Sequence, residues 1–226
     1  MSSSTTTAPA PPSISLDIST SGPTLDLFVN TPFTITAKAT LNGTHPITFQ
    51  KRYAPLFIRP LFTPGLTLKN TRTGDYVPRP TMHIQHLISN DHGLPTQERR
   101  AQWMTLYPEQ PHTIEVTLEP RMTSGPFHPT PDLTVAEMQE LKSKQTPVRK
   151  WGYVGGLEDG QTYEIGVSGE AGITAWVVGD LIGVLDAARG GTVPKLRNKM
   201  IGVSVSQGAS FTVKRPDKDG SLSDVI

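Results

Sequence analysis

Along 33–41, Phe33, Ile35, Ala37, Ala39 and Leu41 alternate with Thr34, Thr36, Lys38 and Thr40. That two-residue period predicts a strand with one apolar face, ended by the turn-forming pair Asn42-Gly43. Ile14, Leu16 and Ile18 alternate with Ser15, Asp17 and Ser19 in the same way, and Ile114, Val116 and Leu118 repeat the pattern over 113–119. Between the first two strands, 21–32 reads as a linker opened by Ser21-Gly22-Pro23. Further strands are expected at 47–53, 66–70, 76–77, 81–89, 101–106, 173–178, 201–205 and 211–213. Turns at Thr73-Gly74-Asp75 and Gln207-Gly208 separate four of them.

The stretch 156–168 ties these strands together. Leu157, Gly160 and Tyr163 follow one another at intervals of three, and Tyr163, Ile165 and Val167 then alternate with polar or small residues. This is the layout of a tyrosine corner, whose ring packs under a turn between two sheets while its hydroxyl bonds back to upstream backbone. Two short helices interrupt the strand pattern. One is predicted at about 135–145, with Thr134 and Glu137 as a capping box, Leu133 and Met138 as a hydrophobic staple, and Val135, Met138 and Leu141 on one face. The other is at 180–189, closed by Gly190-Gly191. The expected fold is all-β: an immunoglobulin- or fibronectin-like β-sandwich with two long loop insertions, about 54–65 and 119–150. It forms one domain over 14–215 between a disordered tail at 1–13 and a flexible tail at 216–226.

Composition narrows the function classes. Among 226 residues, 21 Lys+Arg stand against 20 Asp+Glu, which disfavours nucleic acid or an anionic membrane as partner. The absence of cysteine excludes disulfides, thiolate metal sites and a cysteine nucleophile. The N-terminus has neither a cationic start nor an apolar run, and no stretch approaches the roughly 20 apolar residues of a membrane span. A cytoplasmic protein is therefore expected.

The histidines are the candidate chemical groups. His83 and His86 are three apart in an expected strand, where alternate residues face opposite ways, so they are not expected to share a metal ion. His86 alone falls in the apolar row of Met82, Ile84 and Ile88. It is either a core histidine satisfied by backbone or a proton donor and acceptor facing a cavity. His92, His112 and His128 are expected in turns or loops, facing solvent. No Gly-x-Ser-x-Gly elbow or phosphate-binding loop occurs, and no cofactor is expected. The basic pairs and the run 195–199 read as solvated faces.

Several segments carry a family resemblance. Ser21-Gly22-Pro23 precedes the Thr-rich strand. A strand then ends in Tyr53-x-Pro55-Leu56. Leu68-Lys69-Asn70 leads to Thr73-Gly74-Asp75, and Leu106-x-Pro108 precedes 113–118. This succession resembles the small β-sandwich domain that precedes the catalytic domain of fungal deuterolysin-type metalloendopeptidases. It is still more similar to free-standing fungal proteins built on that sandwich. The resemblance spans about 14–118 and, more loosely, 151–215. The His-Glu-x-x-His helix of the protease is absent, so the resemblance implies the fold and not peptidase activity.

The loops supply the functional expectations. Leu56, Phe57, Ile58, Leu61 and Phe62 crowd a proline-rich insertion, and leaving such side chains wet forfeits on the order of 2 kcal/mol each. One expectation is a cofactor-free protein that encloses a small apolar metabolite, with cyclase or isomerase chemistry. His86 and Tyr53 would then be its polar catalytic groups, and Phe57, Phe62, Trp103, Trp151, Tyr153 and Trp176 its walls. The other is a non-catalytic interaction module that offers the same loops, or a sheet edge, to a protein partner. A closed pocket would favour the first; flat, exposed loops would favour the second.

Overall fold

The alternations seen in the sequence become two facing sheets. The computed structural model describes residues 11–29, 31–78, 95–96, 99–124, 147–192 and 195–215. In chain order the strands are β1 (Ser13–Thr20), β2 (Thr24–Asp26), β3 (Phe33–Asn42), β4 (Ile47–Gln50), β5 (Leu66–Asn70), β6 (Trp103–Leu106) and β7 (His112–Leu118). After them come β8 (Pro120–Ser124), β9 (Pro147–Trp151), β10 (Thr162–Val167), β11 (Trp176–Val178), the helix α1 (Leu181–Arg189), β12 (Val203–Gln207) and β13 (Ala209–Lys214).

The first sheet has the order β12-β1-β3-β7. β1 and β3 pair antiparallel from Ser13 opposite Asn42 to Thr20 opposite Ile35. Ile14, Leu16 and Ile18 on β1 and Phe33, Ile35, Ala37, Ala39 and Leu41 on β3 are all buried. A one-residue slip would turn both rows to water, so the apolar pattern fixes the register. The second sheet has the order β2-β13-β10-β5. Its inward side chains meet the first sheet, with Phe33 of β3 and Phe211 of β13 at 5.0 Å between ring centroids. The result is an all-β sandwich around one core.

The tyrosine corner forms as its spacing predicts. Tyr163 is fully buried, and its hydroxyl accepts a hydrogen bond of 2.8 Å from the Glu158 N–H. A third sheet, β11-β4-β6, adds Ile47, Phe49, Leu106 and Trp176 to the same core. The Thr48 hydroxyl on β4 lies 2.8 Å from that of Thr105 on β6, and Thr105 Oγ1 accepts from the Leu181 N–H at 3.1 Å. That chain of bonds fastens α1 to the third sheet. α1 begins where predicted, because Asp180 Oδ1 accepts from the Gly183 N–H at 2.8 Å and satisfies an orphan donor of the first turn.

Several expectations are corrected. The presumed linker at 21–32 contains β2, which runs parallel to β13 and buries Leu25, while Leu27 just beyond it is also buried. Such a short strand has no period to read, and its pairing is with the far end of the chain. The strand expected at 47–53 stops at Gln50, and Lys51–Tyr53 make a single 3-10 turn ahead of Pro55. The one expected at 101–106 begins only at Trp103, after a 3-10 turn. Of 173–178 only Trp176–Val178 is strand, Ile173 making an isolated bridge to Ile201. The insertion at 119–150 opens and closes with the antiparallel pair β8 and β9 and is therefore not loop throughout. The helix expected at 135–145 and the strand expected at 81–89 lie outside the described residues. No helix among the described residues is long and apolar enough to cross a membrane.

Candidate functional site

β5 is the last strand of its sheet, and the chain turns back along it. Asn70 Oδ1 accepts from the N–H groups of Arg72 and Thr73, and Gly74 takes a positive φ of 80°. The returning segment pairs through Val77 N–H to Leu68 O at 2.8 Å. This brings Tyr76, Val77 and Pro78 beside Leu66, Thr67 and Leu68, and the two segments form one wall of a cleft of about 530 Å³.

The proline-rich insertion makes the roof. It is not an open loop: Ala54, Leu56 and Leu61 are buried, and the Thr63 hydroxyl sits 2.6 Å from Pro55 O. Leu66 N–H donates to Pro60 O at 2.8 Å, and Ser168 N–H donates to Gly65 O at 2.9 Å. Those two bonds hold Leu61 over the cleft and bring in Val167, Ser168 and Gly169 from the end of β10. Gly166, opposite Thr67 in the register, carries no side chain; a Cβ there would stand 2.9 Å from Thr67 Oγ1.

Tyr153 completes the lining. It has a positive φ of 71°, which a tyrosine adopts only when its surroundings impose it. Those surroundings are visible. Arg215 Nη1 donates to Val154 O at 3.2 Å and to Leu157 O at 2.8 Å, clamping the turn that follows. Phe62 meets the Tyr153 ring nearly perpendicularly, at 86°. The cleft thus has apolar walls, two tyrosine rings, and hydroxyls from Thr67, Ser168, Tyr76 and Tyr153. Among the described residues that line it there is no Asp, Glu, Lys, Arg or His.

Of the residues proposed from sequence, Tyr153 lines this cleft and Phe62 supports it from behind. The other described ones are placed elsewhere. Trp103 and Trp151 are buried at the ends of β6 and β9. Trp176 is buried, donating its indole N–H to Lys199 O at 2.8 Å, with the Arg197 guanidinium 5.0 Å from its ring centre. The Tyr53 ring lies under the Arg52 guanidinium at 4.7 Å, and its carbonyl accepts from Thr174 N–H. His83 and His86, with His92 and His128, lie outside the described residues. Among the described residues no group of three or more His, Cys, Asp or Glu could hold a metal ion.

Phe57 packs between Phe49 and His112, at 5.1 and 5.9 Å between ring centroids. His112 was expected in a solvent-facing turn; it begins β7 opposite Ala39 and is half-buried. Burial, and to a lesser degree the nearby Lys51 ammonium, lowers its pKa below the ordinary imidazole value. The unfolded chain therefore binds this proton more readily than the folded one. Stability from His112 is complete above the unfolded pKa of about 6.5 and declines as pH falls through that value toward the lowered one. Urea midpoints taken from pH 8 to 5 should fall less steeply in His112→Gln than in the native protein; equal slopes would show that His112 does not contribute.

Most of the lining carries no local signal in the sequence. One local signal was available: Gly166 interrupts a strand whose other residues are Thr162, Tyr163, Glu164, Ile165 and Val167, and such a glycine often marks a close approach. Comparison with known protein families, with curated proteins and with solved structures found no match for this chain.

Proposed function

We propose that this chain binds a small, mostly apolar molecule in the cleft between β5, the insertion at 54–65 and Tyr153. The observation that carries the reading is the cleft itself. Its volume of about 530 Å³ falls within the range of small-molecule sites, and its walls are apolar with a few hydroxyls. The insertion supports this reading over the protein-interaction module, because its apolar side chains are not held out flat: Leu56 is buried in the core and Leu61 is buried over the cleft. Its described lining offers hydrogen bonds but no imidazole, carboxylate or ammonium, so the reading is of binding and not of catalysis by Tyr53. On the tyrosine corner we also propose an immunoglobulin or fibronectin kind of sandwich; kinship with the deuterolysin sandwich rests on the sequence pattern alone.

A neutral fluorescent probe, N-phenyl-1-naphthylamine, should bind saturably with one-to-one stoichiometry. Thr67→Trp should fill the cleft and weaken that binding by about tenfold or more while leaving the melting transition in place. Absence of saturable binding, or equal binding by the variant, would overturn the proposal.

A further inference from the structure

Resting on that reading, we propose that the ligand is an uncharged molecule with a planar ring system and at least one hydroxyl or carbonyl group. Three independent observations define this class. First, none of the described residues lining the cleft is formally charged, so an ionised group buried among them would lose its hydration without gaining a partner there. Second, Tyr76 and Tyr153 are 63% and 42% exposed although both border the same cleft, leaving ring surface open to a ligand. Aromatic surfaces prefer offset or edge-on contact with another ring, which a flat ligand supplies and a flexible chain does not. Third, the hydroxyls of Thr67, Tyr76 and Tyr153 make no hydrogen bond to any described residue, so a ligand oxygen would find both donors and acceptors.

The rings are also prepared for this contact. Tyr153 is held in a left-handed backbone conformation and met edge-on by Phe62, which fixes its plane. Lys69 places its ammonium 5.9 Å from the Tyr76 ring centre, over the ring face. Because Lys69 stands at the rim beside Tyr76, a carboxylate-bearing ligand is the sharpest competing class.

The test is competition against bound N-phenyl-1-naphthylamine by 2-naphthol, 2-naphthoate and decan-1-ol. 2-Naphthol should displace the probe about fivefold more effectively than decan-1-ol, the advantage expected for one ring–ring contact, and should exceed 2-naphthoate by more. Tyr153→Leu and Tyr76→Leu should each reduce the preference for 2-naphthol over decan-1-ol while still binding the probe. Equal displacement by decan-1-ol would overturn the planar assignment, and equal displacement by 2-naphthoate would overturn the uncharged one. In either case the cleft would remain a binding site. If no compound bound, the cleft reading would fall and this inference with it.

Discussion

Replacing Phe211 by alanine is expected to destabilise the protein by about 3–5 kcal/mol, the usual cost of removing a fully enclosed ring. Phe211 is 1% exposed on β13 and touches both layers of the sandwich. Its ring lies 5.0 Å from Phe33 across the core and 6.0 Å from Tyr163 on the neighbouring strand. Removing it would take apolar contact from both sheets and leave the tyrosine corner without one of its supports. Domains of this size are stable by about 5–15 kcal/mol, so the variant should remain folded at room temperature with a much lower denaturant midpoint. Guanidinium unfolding followed by tryptophan fluorescence would measure the shift. A loss under about 1 kcal/mol would mean that the two sheets do not close on this ring, and the sandwich described above would have to be redrawn.

That core was largely legible in the sequence, because the strands that build it carry a strict period. Ile14, Leu16 and Ile18 faced inward because their neighbours are Ser and Asp, and nothing non-local was needed to see it. Tyr163 could be placed for the same reason: its spacing from Leu157 and Gly160 is a local property of one turn. β2 was illegible, since three residues show no period and its burial comes from β13, nearly 200 positions later. The tryptophans show a different limit. A large aromatic side chain is equally suited to a core or to a pocket wall, and only the packing of β4 against β6 and β11 decides that Trp103 and Trp176 go inside. The cleft draws on 61, 66–68, 76–78, 153 and 167–169, positions brought together largely by strand pairing. The apolar composition of the insertion shows that it needs cover, but nothing local shows that Leu61 roofs a groove beside its own edge strand.

Gly65 joins the scaffold to the cleft, and Gly65→Ala is the second change expected to have a large effect. Gly65 is buried where the insertion ends and β5 begins. An added Cβ would stand 2.9 Å from Pro60 Cα, 2.9 Å from Pro60 O and 3.0 Å from Leu56 Cα. All three are backbone atoms, so no side chain can rotate out of the way. The methyl group must push 56–60 away from 65–66, lengthening the bond from Leu66 N–H to Pro60 O and lifting Leu56 and Leu61 from their contacts. Overpacking of this kind costs about 2–3 kcal/mol. Gly74→Ala separates crowding from backbone strain, because Gly74 has a positive φ of 80° but no atom within 4 Å of an added Cβ. Its loss should be about 1 kcal/mol, the ordinary cost of a left-handed residue with a side chain. The two variants should also part in the binding assay. Gly74→Ala should hold the neutral probe nearly as well as the native protein, and Gly65→Ala should hold it more weakly even well below its melting temperature, because the roof has moved. A Gly65→Ala protein with native stability and native probe affinity would mean that the insertion is not seated against β5, and the cleft would lose its roof.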